Sequence, residues 1–375
     1  WLGDRWIPGR TVDTLAVNGK SVLLVGTDFK ADMPMLFRSE DGGETFAAVD
    51  CPFSGGSVHF CRADMRDSSR ILCGVENAFN EGALWVSNDA GVTFTDGTPE
   101  LGDRWSGSEI PQALQQDPGN PLMMWMAVSY KGMYRSLDGG ETWDLPQPAT
   151  PYWTSLALDS GQTNVLCAAA DESIWPYREV FLSYDHGETW DWSGVFDTEI
   201  RTKFVASDPY RHRIWVARRD GYIWESVDQC SSWTQKGNYY ISTVFTVNDL
   251  AVSPRNPDVL YMATENHGVW KSNDAGWHWE EASWGIPAGY HHVRCIDVDT
   301  RLELADQDRL LLGCADSENT DHRVYESIDG AGTLLRKDSA GGFNSPIVDL
   351  SIVELPVSGN SVWLTTYGDG AWLSI

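Results

Sequence analysis

The octet Ser136-Leu137-Asp138-Gly139-Gly140-Glu141-Thr142-Trp143 decides the reading of this 375-residue chain. Its pattern is Ser-x-Asp-x-Gly-x-Thr-(Trp/Phe). The same pattern stands intact at Ser39–Phe46, Ser87–Phe94 and Ser183–Trp190, and in degraded form at Ser226–Trp233, Ser272–Trp279 and Ser327–Leu334. Five fixed positions at ordinary residue frequencies recur by chance about once per million positions, so four intact copies mark an internal repeat. The octets start 48, 49, 47, 43, 46 and 55 residues apart.

A period near 47 residues without helical periodicity fits a blade of four antiparallel strands. Each unit has one layout, clearest around Asp249–Trp279. A strand (Asp249–Ser253) leads through a Pro/Asn/Asp turn into an almost wholly apolar strand (Val259–Thr264). An aromatic-rich strand (Gly268–Ser272) follows, and the octet turns the chain into an outer strand. Strands this apolar are buried on both faces. The apolar second strand recurs at Ser21–Thr27, Ile71–Val75, Leu122–Val128, Val165–Ala170, Arg213–Ala217, Val259–Thr264, Arg309–Cys314 and Ser361–Thr366. The expectation is therefore an all-β chain: one closed β-propeller domain over residues 1–375, with eight four-stranded blades and seven as the alternative count. The last blade lacks its outer strand, because the sequence stops after Gly370–Ile375. Trp1–Pro8 is the candidate closing strand, since closure removes exposed sheet edges.

Within the octet the residue types have structural work. Asp accepts hydrogen bonds from nearby backbone N–H groups, Ser and Thr hydroxyls add local bonds, and Gly adopts backbone angles that other residues resist. The closing aromatic packs between blades. Asp41, Asp89, Asp138, Asp185, Asp228, Asp274 and Asp329 thus read as fasteners, because a catalytic group is needed once and not at every turn.

The net charge of −27 argues against nucleic acid and anionic lipid as partners. The longest apolar run, near Leu122–Val128, is far too short to span a bilayer. There is no signal peptide and the chain begins at Trp1 without Met, which reads as a mature or excised form. Seven cysteines lie scattered, mostly in strand-like runs where a thiol acts as a small hydrophobe, and a disulfide framework is not expected. No metal-ligand spacing and no cofactor fingerprint occurs, so neither metal nor cofactor is expected.

The octets resemble the Asp-box, or BNR, repeats of β-propeller proteins, over nearly the whole chain. That superfamily includes sialidases, xyloglucanase-type glycoside hydrolases, sortilin-like receptors, photosystem II assembly-factor-like proteins and virus-borne propellers. The sialidase Arg-Ile-Pro is interrupted here, as Arg5-Trp6-Ile7-Pro8, and Thr27-Asp28-Phe29-Lys30 shares only Thr-Asp with the catalytic loop of xyloglucanase-type enzymes. The resemblance therefore implies architecture more than activity.

In a propeller, the loops between strands two and three and the blade-to-blade connections share one rim around the axis. Candidate ligand-binding residues there are Trp105, Trp153, Trp175, Arg219, Glu265, His267, Trp284, Tyr290 and Tyr367. Aromatic faces stack on sugar C–H surfaces, and carboxylates accept hydroxyl hydrogen bonds. The leading expectation is a non-catalytic recognition or structural module, outside the cell or on a particle surface, which binds a glycan or protein partner. It would act in the manner of an adhesin, receptor-binding protein or virion appendage. The rival is a glycoside hydrolase or lyase on a neutral polysaccharide, with two facing carboxylates among Asp28, Glu76, Asp171, Asp220, Glu265 and Asp369. A third reading is an assembly factor that docks through the basic island of blade five: Arg201, Lys203, Arg211, Arg213, Arg218 and Arg219, with His212.

Overall fold

The computed structural model describes residues 11–17, 20–26, 35–40, 45–52, 56–77, 79, 81–99, 109–144, 153–158, 164–170, 180–192, 202–207, 213–218, 222–236, 246–299, 307–316, 322–336, 347–355, 359–366 and 370–374. These residues form small antiparallel sheets and one 3-10 turn, Ala288–Tyr290.

The first sheet is β1 (Thr11–Val17), β2 (Lys20–Gly26), β3 (Leu36–Ser39) and β4 (Ala47–Ala48). The second is β5 (Ser57–Asp64), β6 (Asp67–Glu76), β7 (Gly82–Ser87) and β8 (Thr95–Asp96). The third has β9 (Pro111–Gln116), β10 (Met124–Val128) and β11 (Gly132–Ser136), with an isolated bridge from Arg135 to Asp144 where a fourth strand would start. The fourth runs β12 (Trp153–Leu158), β13 (Leu166–Ala170), β14 (Val180–Ser183) and β15 (Asp191–Trp192). The fifth holds β16 (Thr202–Ser207), β17 (Ile214–Arg218), β18 (Ile223–Ser226) and β19 (Thr234–Lys236). The sixth comprises β20 (Thr246–Val252), β21 (Leu260–Glu265), β22 (Val269–Ser272) and β23 (Glu280–Glu281). The seventh follows as β24 (His292–Val298), β25 (Leu310–Ala315), β26 (His322–Ser327) and β27 (Leu335–Arg336). The eighth has three strands, β28 (Ile347–Leu355), β29 (Gly359–Thr366) and β30 (Gly370–Ser374). In every sheet the strands lie side by side in chain order. Trp1–Pro8 lies outside the described residues.

Each apolar run of the sequence is the second strand of a sheet, and the packing shows why it is apolar throughout. Alternate residues enter two different cores. In β6, Ile71, Cys73 and Val75 pack with Val22 and Leu24 of β2. Leu72 turns the other way, to Met124 and Met126 of β10. In β21, Leu260 and Met262 meet Trp215 and Ala217 of β17, whereas Tyr261 and Ala263 meet Leu310 and Leu312 of β25. The core is thus a series of slabs between facing sheets. Five octets deliver their closing residue to one slab each: Phe94, Trp143, Trp233, Trp279 and Leu334.

The chain divides into two compact units, Trp1–Trp153 with Ser351–Ile375, and Thr154–Leu350. In the first, β5 lies beside both β1 and β9, and β29 lies beside β1. In the second, β20 lies between β16 and β24.

The cysteine expectation needs one correction. Cys61 and Cys73 form a disulfide across the β5–β6 hairpin, with Cα atoms 4.2 Å apart. They stand directly opposite in the ladder, which is the placement that lets two side chains on one face meet.

Candidate functional site

The octet aspartates hold their own turns. In the third sheet, Asp138 Oδ1 accepts the Ser136 hydroxyl at 2.8 Å and the Glu141 and Thr142 amides at 3.0 and 2.9 Å. Its Oδ2 accepts the Thr142 hydroxyl at 2.5 Å, and the Gly140 amide donates to Ser136 Oγ at 2.7 Å. The Ser-to-Asp bond recurs at 2.8, 2.9, 2.9, 3.0 and 2.7 Å for Asp89, Asp185, Asp228, Asp274 and Asp329. Desolvation pushes these carboxyls up, but the hydroxyl and amide donors outweigh it and hold all six below the ordinary carboxylate range. Asp41 lies outside the described residues.

A second recurrent feature sits at the opposite end of the sheets. The first strand of five sheets carries a β-bulge at one register, and the extra residue is polar each time: His59, Gln112, Lys203, Asn248 and Arg294. Bulges re-aim side chains and gather at rims and binding sites. Beside each bulge the second strand ends, and Glu76 and Glu265 occupy equivalent terminal positions, paired with Ser57 and Thr246.

In the first unit, half-buried His59 places Nε2 2.9 Å from Glu76 Oε2. Lys131, in the turn after β10, pairs with Glu109 at 3.1 Å. In the second unit, Asn248 Nδ2 donates to the Val293 carbonyl oxygen at 2.8 Å, which ties one bulge to the next. Arg294 lies within electrostatic range of Glu265. Partial burial pulls this guanidinium below its usual value, while Cys295 and Glu265 act in the other direction. The loop after Glu265 is fixed by Gly268, whose φ is +72° and whose amide donates to the His291 carbonyl oxygen at 2.7 Å. A β-carbon at Gly268 would meet Ser283 Oγ at 2.1 Å, so only glycine lets the loop approach. His267 Nδ1 lies 3.0 Å from the Glu265 carbonyl oxygen. Tyr290 ends the 3-10 turn under the Arg323 guanidinium, 4.0 Å from the ring centroid, a cation–π contact.

Of the sequence candidates, the structure brings Glu265, His267 and Tyr290 to one end of the sixth and seventh sheets. Trp284 is 81% exposed but belongs to the fourth-strand side, where its carbonyl accepts the Leu334 amide at 2.8 Å. Trp153 opens β12. Trp105, Trp175, Arg219, Tyr367, Asp28, Asp171, Asp220 and Asp369 lie outside the described residues. Arg294 and Arg323 were not among the candidates. A bulge resets the inward-outward parity of its strand, so Arg294 in His-Val-Arg-Cys-Ile carries no pattern that separates it from a solvated strand residue. In the basic island, Arg213 is committed internally, to buried Glu225 at 2.6 Å from Nε and to Asp258 at 2.5 Å from Nη1. Lys236 completes this cluster through Glu225 at 2.5 Å.

No protein-family model matches the chain. A xyloglucanase from Paenibacillus sp. is 24% identical over 249 residues, which make up 53% of this chain and 23% of that protein. The match thus spans less than a quarter of the curated relative's length. Among solved structures, Sqt1 of Saccharomyces cerevisiae covers 99% of this chain and 96% of its own, with a TM-score of 0.67 at 9% identity. The GH74 enzyme of Niastella koreensis covers 98% and 73%, with a TM-score of 0.57 at 14% identity. YCF48 bound to D1 peptide covers 98% and 93%, with a TM-score of 0.54 at 14% identity. These are β-propeller proteins, and at such identities the likeness speaks to fold: the chain is an all-β protein built on the antiparallel sheets of that architecture.

Proposed function

We propose that residues 1–375 form one closed eight-bladed β-propeller with Asp-box turns. We read it as a non-catalytic recognition module that takes a glycan or protein partner at the end where the first strands bulge. The observation that supports this reading is the register-matched set of polar bulge residues, His59, Gln112, Lys203, Asn248 and Arg294. Bulges gather at rims and beside binding sites, where they re-aim a side chain. Arg294, Arg323, Tyr290 and Glu265 add cations, an aromatic face and an acceptor beside the last of these bulges. Six octet aspartates are spent on their own turns, so the repeated acid chemistry belongs to the scaffold. The Cys61–Cys73 bridge suits an oxidising compartment and supports a location outside the cell or on a particle surface.

The test is binding of the full chain to immobilised neutral and acidic polysaccharides and to a peptide library. Binding that falls at least about tenfold, or 1.4 kcal/mol, in Arg294→Ala and Arg323→Ala, with melting unchanged, is the expected result. The xyloglucanase match favours one rival, a glycoside hydrolase. Release of reducing ends from xyloglucan, abolished by Glu76→Gln or Glu265→Gln, would establish the rival and overturn the non-catalytic reading.

A further inference from the structure

In the second and third sheets the fifth position of the octet lies against the second strand of the preceding sheet. At Gly91 an added β-carbon would come within 2.8 Å of Leu24 Cδ2, and at Gly140 within 3.0 Å of Leu72 Cδ2. Leu24, Leu72 and Cys167 hold one register in β2, β6 and β13, because each stands opposite the residue that precedes an octet serine: Arg38, Val86 and Leu182. In the fifth sheet the octet's glycine is replaced by Cys230, in the left-handed region at φ +63°. So where the first two contacts set a leucine on a glycine, the contact between the fourth and fifth sheets has cysteine at both the strand register and the octet position. Both changes fall at one contact, and each fits the other: a smaller residue in the strand makes room for a larger one in the turn.

The two side chains are buried in one apolar slab with Val165, Val180, Ile214 and Val216. Their thiols lie within hydrogen-bonding reach of each other. A side chain at positive φ is disfavoured relative to glycine. Ala331 at φ +67° shows that the turn accommodates a β-carbon, but not why one octet carries sulfur there.

We infer that Cys167 and Cys230 are a site of covalent cross-linking, a second disulfide that staples the fourth sheet to the fifth. The oxidant is a small disulfide of the oxidised-glutathione class. One protein thiolate attacks it and releases one glutathione thiol, and the second protein thiolate then displaces the other. Two protein thiols and one small disulfide give one protein disulfide and two small thiols, with electrons and protons balanced. Desolvation and the neighbouring Cys230 raise the Cys167 thiol well above its ordinary value, so in the packed state the thiolate is scarce and exchange is slow. The bond closes while the chain folds, before the slab seals.

The test uses the full chain, refolded in a buffer of oxidised and reduced glutathione, alkylated with iodoacetamide in denaturant, and digested without reductant for mass spectrometry. The expected result is a linked peptide pair containing Cys167 and Cys230, alongside the Cys61–Cys73 pair as an internal control for oxidation. Recovery of Cys167 and Cys230 both alkylated, in a sample whose Cys61–Cys73 pair is intact, overturns the inference. A second arm uses Cys230→Gly, which restores the octet's own residue. Its melting temperature is expected to fall several degrees below the parent under oxidising conditions, with the gap closed or reversed after reduction. A gap of the same size with and without reductant counts against the staple.

Discussion

Arg70 donates from Nη1 to the carbonyl oxygen of Gly139 at 2.9 Å, from a buried strand of the second sheet to the octet turn of the third. Its Nη2 reaches the Gly140 carbonyl at 3.3 Å. The link recurs. Arg38 donates to the Ala90 carbonyl at 2.7 Å, and Lys271 to the Gly330 carbonyl at 2.8 Å. Ala90, Gly139 and Gly330 all hold the fourth position of their octets, so one sheet's cation closes the next sheet's turn. Arg70→Ala leaves these carbonyls without that donor and is expected to cost about 2 kcal/mol in urea denaturation. Glu141→Ala, which removes only the exposed partner 3.2 Å from Arg70, is expected to stay within about 0.5 kcal/mol.

Asp138→Ala removes the acceptor that serves four donor groups in a single turn. The expected loss is on the order of 1–2 kcal/mol, read from a thermal melt. Retention of full stability would show that the turn is held by its glycines alone.

The octet carboxylates also set an acid limit. Six lie below their ordinary value of 3.8 in the folded chain. The unfolded chain therefore takes up protons first as the pH falls. The contribution is fully present above about pH 4 and is lost as pH drops through the folded values. Denaturation midpoints measured from pH 7 to pH 2.5 are expected to hold level and then fall. Asp138→Asn is expected to show a shallower fall than the parent.

Between the sixth and seventh sheets, buried Tyr261 donates its hydroxyl to Asp308 Oδ2 at 2.8 Å. Burial, with the adjacent carboxylate, raises this phenol far above its usual value, so it stays a donor throughout the working range. Tyr261→Phe leaves the aspartate oxygen short of a donor and is expected to cost about 2 kcal/mol. Near-neutral denaturation of that variant would show that another group compensates.

The sheet pattern was legible because double-sided burial writes itself as unbroken apolar runs. Val259–Thr264 and Arg309–Cys314 fall within one residue of β21 and β25. The octet was legible because its spacing repeats. The bulges were not. Asn248 beside Asp249 interrupts the two-residue alternation of β20, but one interruption also reads as a strand end. The Cys61–Cys73 pair was hidden by the same cause. β6 begins at Asp67, four residues before its apolar run at Ile71, across a tight turn from Asp64. The register shifts between Ala63 and Asp64, between the turn and the pair, so strand parity counted from the sequence does not bring the two sulfurs together. At the candidate site, Glu265, His267 and Tyr290 were found because loop residues of those types stand out. Arg294 and Arg323 were missed because strand arginines do not.

The cation that reaches forward to the following turn has a consequence for how such a chain gains and loses length. Cutting out an arbitrary stretch would orphan a guanidinium or ammonium on one side of the excision and an open carbonyl on the other. Cutting from one octet to the next rejoins donor and acceptor in phase. The heritable module is therefore the interval between successive octets, straddling two sheets, and not the individual sheet that the eye picks out.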